Sequence, residues 1–90
     1  MEKCWVLYIL QCADGTYYTG ITDDISHRIA EHNAGKGAKY TRGRGPVKLV
    51  YCRPMGSKSE ALKEEYRTKQ LSRTEKAALC AQFKREDESQ

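Results

Sequence analysis

Trp5-Val6-Leu7-Tyr8-Ile9-Leu10, then Asp14-Gly15, then Thr16-Tyr17-Tyr18-Thr19-Gly20-Ile21-Thr22 is the stretch whose reading decides the fold. The first segment begins a nearly unbroken apolar run between Cys4 and Cys12, short, β-branched and aromatic, and it reads as a strand buried on both faces. Asp14-Gly15 is a tight-turn pair. The third segment has high strand propensity, so residues 1–22 are predicted to contain a β-hairpin with Tyr8 and Tyr18 on adjacent strands.

Downstream, Thr22, Asp23 and Asp24 offer capping oxygens for a helix over Ile25–Asn33, which Ala34-Gly35-Lys36-Gly37 should stop. On that helix Ile25, Arg28, Ile29 and His32 follow i, i+3, i+4, i+7 and share one face. Residues 35–46 are rich in glycine and basic side chains and read as a surface loop. Val47–Cys52 is a third strand, with Pro54 and Gly56 ending it. Two capping boxes, Ser57-Lys58-Ser59-Glu60 and Ser72-Arg73-Thr74-Glu75, then start two helices. In the first of these, Ala61, Leu62, Glu65 and Tyr66 are expected on the packing face and Glu64 toward the other side. This order predicts an α+β fold: a small three-stranded antiparallel or mixed sheet flanked by helices. The domain is assigned to residues 1–83, and residues 84–90, with Glu86, Asp87 and Glu88, to a solvated acidic tail expected to fray.

Ninety residues make one domain with a thin core, leaving substrate recognition to loops or to a targeting partner that no motif identifies. Charged residues at 31% and hydrophobic ones at 39% describe a soluble globular chain. The formal charge of +4 is modest, but its distribution is informative. Between His32 and Ser59 there is no Asp or Glu, while Lys36, Lys39, Arg42, Arg44, Lys48, Arg53 and Lys58 are all cationic. Cys4, Cys12, Cys52 and Cys80 have no C-x-x-C spacing, which argues against structural zinc or a redox pair and for reduced thiols. With no leader and no apolar run approaching ~20 residues, a cytoplasmic location and no membrane association are expected.

Hydrolysing a phosphodiester calls for a set of groups: a carboxylate to hold a hard cation, an arginine for a non-bridging oxygen, and a group to orient or deprotonate water. Glu65, Arg28 and a tyrosine supply all three. Taken singly, each has an ordinary structural explanation; the combination is what points to chemistry.

The sequence resembles GIY-YIG nuclease domains, with Val6-Leu7-Tyr8 at the first motif and Tyr18-Thr19-Gly20 at the second. Arg28, His32-Asn33 and Ala61-Leu62-Lys63-Glu64-Glu65-Tyr66 match the segments that follow, over Trp5 to Leu79, and the likeness is greatest to standalone bacterial members. It departs in lacking Gly-Ile in the first motif, in Thr19 for the isoleucine of the second, and in having no asparagine after Asn33. The resemblance implies a metal-dependent endonuclease in which Glu65 ligates Mg²⁺ or Mn²⁺ and Tyr8, Tyr18, Arg28 and His32 complete the catalytic set. Tyr8 would orient or deprotonate water, Tyr18 would hydrogen-bond within the network, Arg28 would stabilise phosphate charge, and His32 would serve as a phosphate contact or proton donor. Lys36, Lys39, Arg42 and Arg44 are expected to grip a nucleic-acid backbone and Tyr40 to stack on an unpaired base. DNA, branched or single-stranded, is the expected partner, with RNA as the alternative polymer. A non-cleaving nucleic-acid-binding module is the rival function.

Overall fold

A computed structural model describes residues 4–37 and 41–88, with side chains to residue 84; the expected contacts of Lys39 and Tyr40, and residues 89–90 of the tail, lie outside the described residues. Three strands and three helices follow in the order β1 (Trp5–Gln11), β2 (Tyr17–Thr22), α1 (Ile25–Asn33), β3 (Lys48–Gly56), α2 (Lys58–Lys69) and α3 (Arg73–Glu88). The strands form one antiparallel sheet in the order β2-β1-β3, as the α+β reading expected.

The apolar run is the central strand. Leu7, Tyr8, Ile9 and Leu10 are all buried, which is why β1 reads as continuous rather than alternating. The turn to β2 is closed by Gly15 N–H donating to the Cys12 carbonyl (2.9 Å) and Cys12 N–H to the Thr16 carbonyl (2.8 Å). Gly15 takes φ +86°, a conformation that only glycine adopts without cost, and Asp14 Oδ1 accepts from both Thr16 N–H (3.1 Å) and Thr16 Oγ1 (2.6 Å). In the resulting register Tyr8 faces Gly20 and Leu10 faces Tyr18, so both tyrosines stand on one face of the sheet.

That face carries the core cluster of Tyr8, Leu10, Cys12 and Val47, against which Tyr18, Ile25, Ile29 and Leu49 pack. Helix α1 therefore lies where its isoleucine stripe predicts. Asp24 caps it by accepting from His27 N–H (3.2 Å). At its other end Asn33 Oδ1 accepts from Val47 N–H (2.7 Å), tying the helix end to the approach of β3.

Two expectations are corrected. β3 does not stop before Pro54 but continues to Gly56. It is an edge strand, and Pro54 sits opposite Val6 beside a register shift, where a missing N–H breaks no ladder bond. In α2 the inward side is Ala61, Glu64, Glu65 and Thr68, whereas Leu62 and Tyr66 are exposed (47% and 70%). Small Ala61 and Thr68 let the helix lie close against all three strands, and this outweighs burial of the two larger side chains.

Helix α3 covers β3 through the Tyr51–Phe83 ring contact (5.7 Å between centroids) and buried Cys80, and Arg73 at its start donates to the Gly15 carbonyl (3.3 Å). The boundary expected at residue 83 falls inside α3, whose backbone is helical to Glu88. Cysteines 12 and 80 are buried, Cys52 is partly buried and Cys4 exposed; all four are free thiols. Among the described residues no helix is long and apolar enough to cross a membrane.

Candidate active site

The site is built around Tyr8, in the middle of the central strand. Its partner in register is Gly20, and a Cβ there would lie 2.6 Å from the Tyr8 hydroxyl and 2.7 Å from Cζ. The glycine of the second motif is thus the space into which the first motif's tyrosine folds. Tyr18 stands diagonally across the hairpin with its ring 6.4 Å from that of Tyr8. From α1, His32 completes an aromatic cluster, 6.2 Å from Tyr8 and 5.2 Å from Tyr18 between centroids.

His32 is 2% exposed and hydrogen-bonded at both ring nitrogens: Nε2 to the Tyr8 hydroxyl at 3.2 Å and Nδ1 to Thr41 Oγ1 at 2.8 Å. Burial, followed by the charge of Arg28, holds its pKa below the usual imidazole value, with Glu31 opposing. His32 is therefore neutral at pH 7. The expected direct phosphate contact has no free ring nitrogen to make it in this conformation. Gly37 also closes on the ring at Nδ1, where a Cβ would lie 2.3 Å away.

Arg28, one turn before His32, faces the Tyr8 phenol and is partly held by Glu31 at 3.5 Å. Burial is the largest influence on Tyr8 and raises its pKa; the Arg28 guanidinium pulls it down without reversing the shift, and Tyr18 and Glu65 raise it further. Tyr8 is therefore a protonated phenol at neutral pH, and it is 1% exposed. Arg28 and Glu65, at 30% and 21% side-chain exposure, are the charged members that reach solvent. Two surface depressions, of about 410 and 400 Å³, lie away from the Tyr8 cluster, along β3 and α3.

Glu65 comes from α2 and lies near enough for its charge to act on Tyr8, with Lys69 Nζ 3.7 Å away. Its neighbour Glu64 pairs instead with Arg67 at 3.6 Å. No group of three or more His, Cys, Asp and Glu side chains forms among the described residues. Among the described residues, a cation at Glu65 would thus take at most two such side chains. That donor set fits Mg²⁺ or Mn²⁺, which keep several waters and share substrate phosphate oxygens, and does not fit a dehydrated zinc cage. The Lys69 pair is partly exposed and worth at most about 1 kcal/mol, so it presents a small barrier to such exchange.

In the basic loop, Lys36 and Arg42 are exposed. Arg44 is tied down: its guanidinium bonds Asp14 Oδ2 at 2.6 Å, its N–H donates to the Thr41 carbonyl (3.1 Å) and its carbonyl accepts from Ala13 N–H (2.8 Å). Arg44 straps the loop to the hairpin turn. Sequence reading overlooked Thr41, Gly37 and Glu31. The glycine looked like ordinary loop composition, and no periodicity connects residues 37 and 41 with a helix that ends before them.

A family model described as the GIY-YIG catalytic domain matches residues 4–78. A UPF0213 protein of Halobacterium salinarum is 62% identical over 73 residues, covering 81% of this chain and 95% of its own length. One of Cupriavidus pinatubonensis is 51% identical over 83 residues, 92% of each chain. Among solved structures, the solution NMR structure of a UPF0213 protein from Bacillus halodurans is 51% identical, with TM-score 0.56 over 87% of this chain and 83% of that one. That of a protein from E. faecalis is 38% identical, with TM-score 0.62 over 91% and 88%. These relatives carry little beyond the matched length, as expected of standalone members, and they extend from bacteria to archaea. The motif tyrosines folded together, the matched span and the relatives give one answer: the chain belongs to the GIY-YIG family of nuclease domains.

Proposed function

We propose that the protein is a divalent-metal-dependent endonuclease that hydrolyses phosphodiester bonds in DNA, acting on branched or single-stranded substrates. The observation that carries this reading is the meeting of Tyr8, Tyr18, Arg28 and His32, drawn from two strands and a helix, with Glu65 of a second helix in electrostatic reach.

In this scheme Glu65 would hold Mg²⁺ or Mn²⁺, and a cation held there would supply charge neutralisation for the scissile phosphate. Arg28 turns from Tyr8 onto a non-bridging oxygen, which opens the phenol to the attacking water. The Tyr8 hydroxyl donates to His32 Nε2, leaving its oxygen to accept a hydrogen from that water. As Tyr8 takes the water proton, its own passes to Nε2, so no free phenolate is needed. Tyr8 ends this relay as it began, so the cost lies in moving a proton from water to an imidazole whose pKa burial holds below its usual value. Phosphate on Arg28 cancels the charge that helps depress His32, which relieves part of this cost when substrate is bound. Tyr18 packs the His32 ring in place. Lys36, Lys39 and Arg42 follow the sugar-phosphate backbone on a loop that Arg44 holds to the hairpin turn, and Tyr40 takes an unpaired base, giving salt-sensitive, weakly sequence-specific binding.

The burial of Tyr8 favours a second reading, a non-cleaving nucleic-acid-binding module in which Arg28 stays over the phenol. One assay separates the two. Labelled duplex, single-stranded and branched DNA, and RNA, are incubated with the protein in Mg²⁺ or Mn²⁺ beside Arg28→Ala and Glu65→Ala. The nuclease cuts DNA and both variants fail; salt-sensitive binding without cutting selects the module. Cutting at the wild-type rate by both variants defeats the mechanism.

A further inference from the structure

The Thr41 hydroxyl holds His32 where helix α1 ends and the basic loop returns toward β3, and nothing in the family motifs assigns it a role. Both members of the pair are buried, at 1% and 2% exposure, and their 2.8 Å hydrogen bond spans nine residues. Gly37, from the same loop, closes on the same ring nitrogen. The loop that presents Lys36 and Arg42 to solvent thus touches His32 twice, and His32 touches Tyr8.

Donor and acceptor roles along this chain follow from which groups can accept. The phenol hydrogen of Tyr8 is buried and must find an acceptor; Arg28, facing the same oxygen, has only donors. Among the described residues His32 Nε2, at 3.2 Å, is placed to accept it, which requires that nitrogen to carry no hydrogen. The neutral ring then bears its hydrogen on Nδ1 and donates it to Thr41 Oγ1.

We propose that Thr41 is a positioning residue that fixes the Nδ1–H tautomer of His32, so that the basic loop prepares Tyr8 to accept a proton from water. Without the hydroxyl, the Nδ1 hydrogen faces no acceptor. The alternative tautomer puts a hydrogen on Nε2, turns a donor toward Tyr8 and blocks the relay. The inference rests on the nuclease reading for its catalytic consequence, and on the two hydrogen bonds alone for the tautomer.

The test is ¹⁵N spectroscopy of the imidazole nitrogens in the full chain near pH 7.5. His27→Gln removes the signals of the other histidine, a surface residue 70% exposed. Wild-type His32 is expected to be protonated at Nδ1 and bare at Nε2. Thr41→Val, equal in shape, should lose that pattern, and Thr41→Ser should keep it. In cleavage assays Thr41→Val should lower kcat by about ten- to a hundredfold, the range for losing a group that orients a site imidazole, with KM little changed and Thr41→Ser restored. A wild-type ring with its hydrogen on Nε2 overturns the assignment, even if the valine variant fails to fold. A valine variant with the wild-type tautomer overturns it too, whatever its rate. An unchanged kcat in that variant overturns the catalytic part. If no preparation cleaves any substrate, the nuclease reading falls with that part, and the spectra still decide the tautomer.

Discussion

The Tyr8 cluster and helix α2 contribute to the same site by opposite means. Tyr8 and His32 are 1% and 2% exposed, joined by a hydrogen bond and backed by two glycines that leave space for those rings. Glu65 stands on a helix whose exposed face carries Leu62 and Tyr66, and its partner is a lysine 3.7 Å away. A group that must sit at a fixed angle is buried, where packing sets its rotamer; a group proposed to take up a hydrated cation stays near water. Chemistry and stability should therefore separate between the two regions.

The largest expected effect is on turnover. Arg28→Ala and Glu65→Ala should each lower the rate by about 10²–10³-fold, the range for losing one group that stabilises transition-state charge. Their urea midpoints should stay close to wild type, because the ion pairs they lose are partly exposed. An unfolded Glu65→Ala would break the contrast by making α2's carboxylate a structural group.

Gly20→Ala should do the reverse. Its Cβ would meet the Tyr8 hydroxyl at 2.6 Å, so urea denaturation should show a loss of about 1–3 kcal/mol from overpacking, accompanied by displacement of Tyr8. Wild-type stability in this variant would mean that the tyrosine moves freely and that the rigid half of the comparison is wrong.

A smaller effect separates the helix from the cluster. Ser57 caps α2 by accepting from Glu60 N–H (3.2 Å), and Ser57→Ala should cost about 1 kcal/mol. At a temperature where the protein remains folded, cleavage should change less than twofold; a larger drop would show that the placement of Glu65 depends on the cap.

The smallest effect is a slope in stability with pH. His32 is depressed on folding, so the unfolded chain binds its proton first. Its contribution is complete above about pH 6.5 and is lost as pH falls through that value toward the folded pKa. Tyr8 is raised, so its contribution is present below about pH 10 and lost above it. Asp14 and Glu75, whose pKa values hydrogen bonds lower, act only in the more acid carboxylate range. Urea midpoints between pH 5 and 7 should therefore fall on acidification in wild type and stay flat in His32→Gln. A flat wild-type curve would mean that His32 is solvated.

The hairpin, the caps and the extent of α1 were legible in the chain because each depends on neighbours within a few positions. Asp14-Gly15 sets its own turn, Ser57 and Ser72 satisfy amides three residues away, and Ile25 and Ile29 mark the face that Arg28 and His32 share. The family motifs were legible for the same reason. The side of α2 was not, since exposed Leu62 and Tyr66 are the larger apolar residues and Ala61 and Thr68 the buried ones.

By itself the sequence determined the three-stranded α+β fold and its family. Only the tertiary structure decided that Gly20 makes way for Tyr8, that Thr41 and Gly37 enclose His32, and that Asp14 holds Arg44 across thirty residues of chain. Those contacts join residues with no common period, and they form because a buried ring must have each polar atom bonded and each neighbouring volume free.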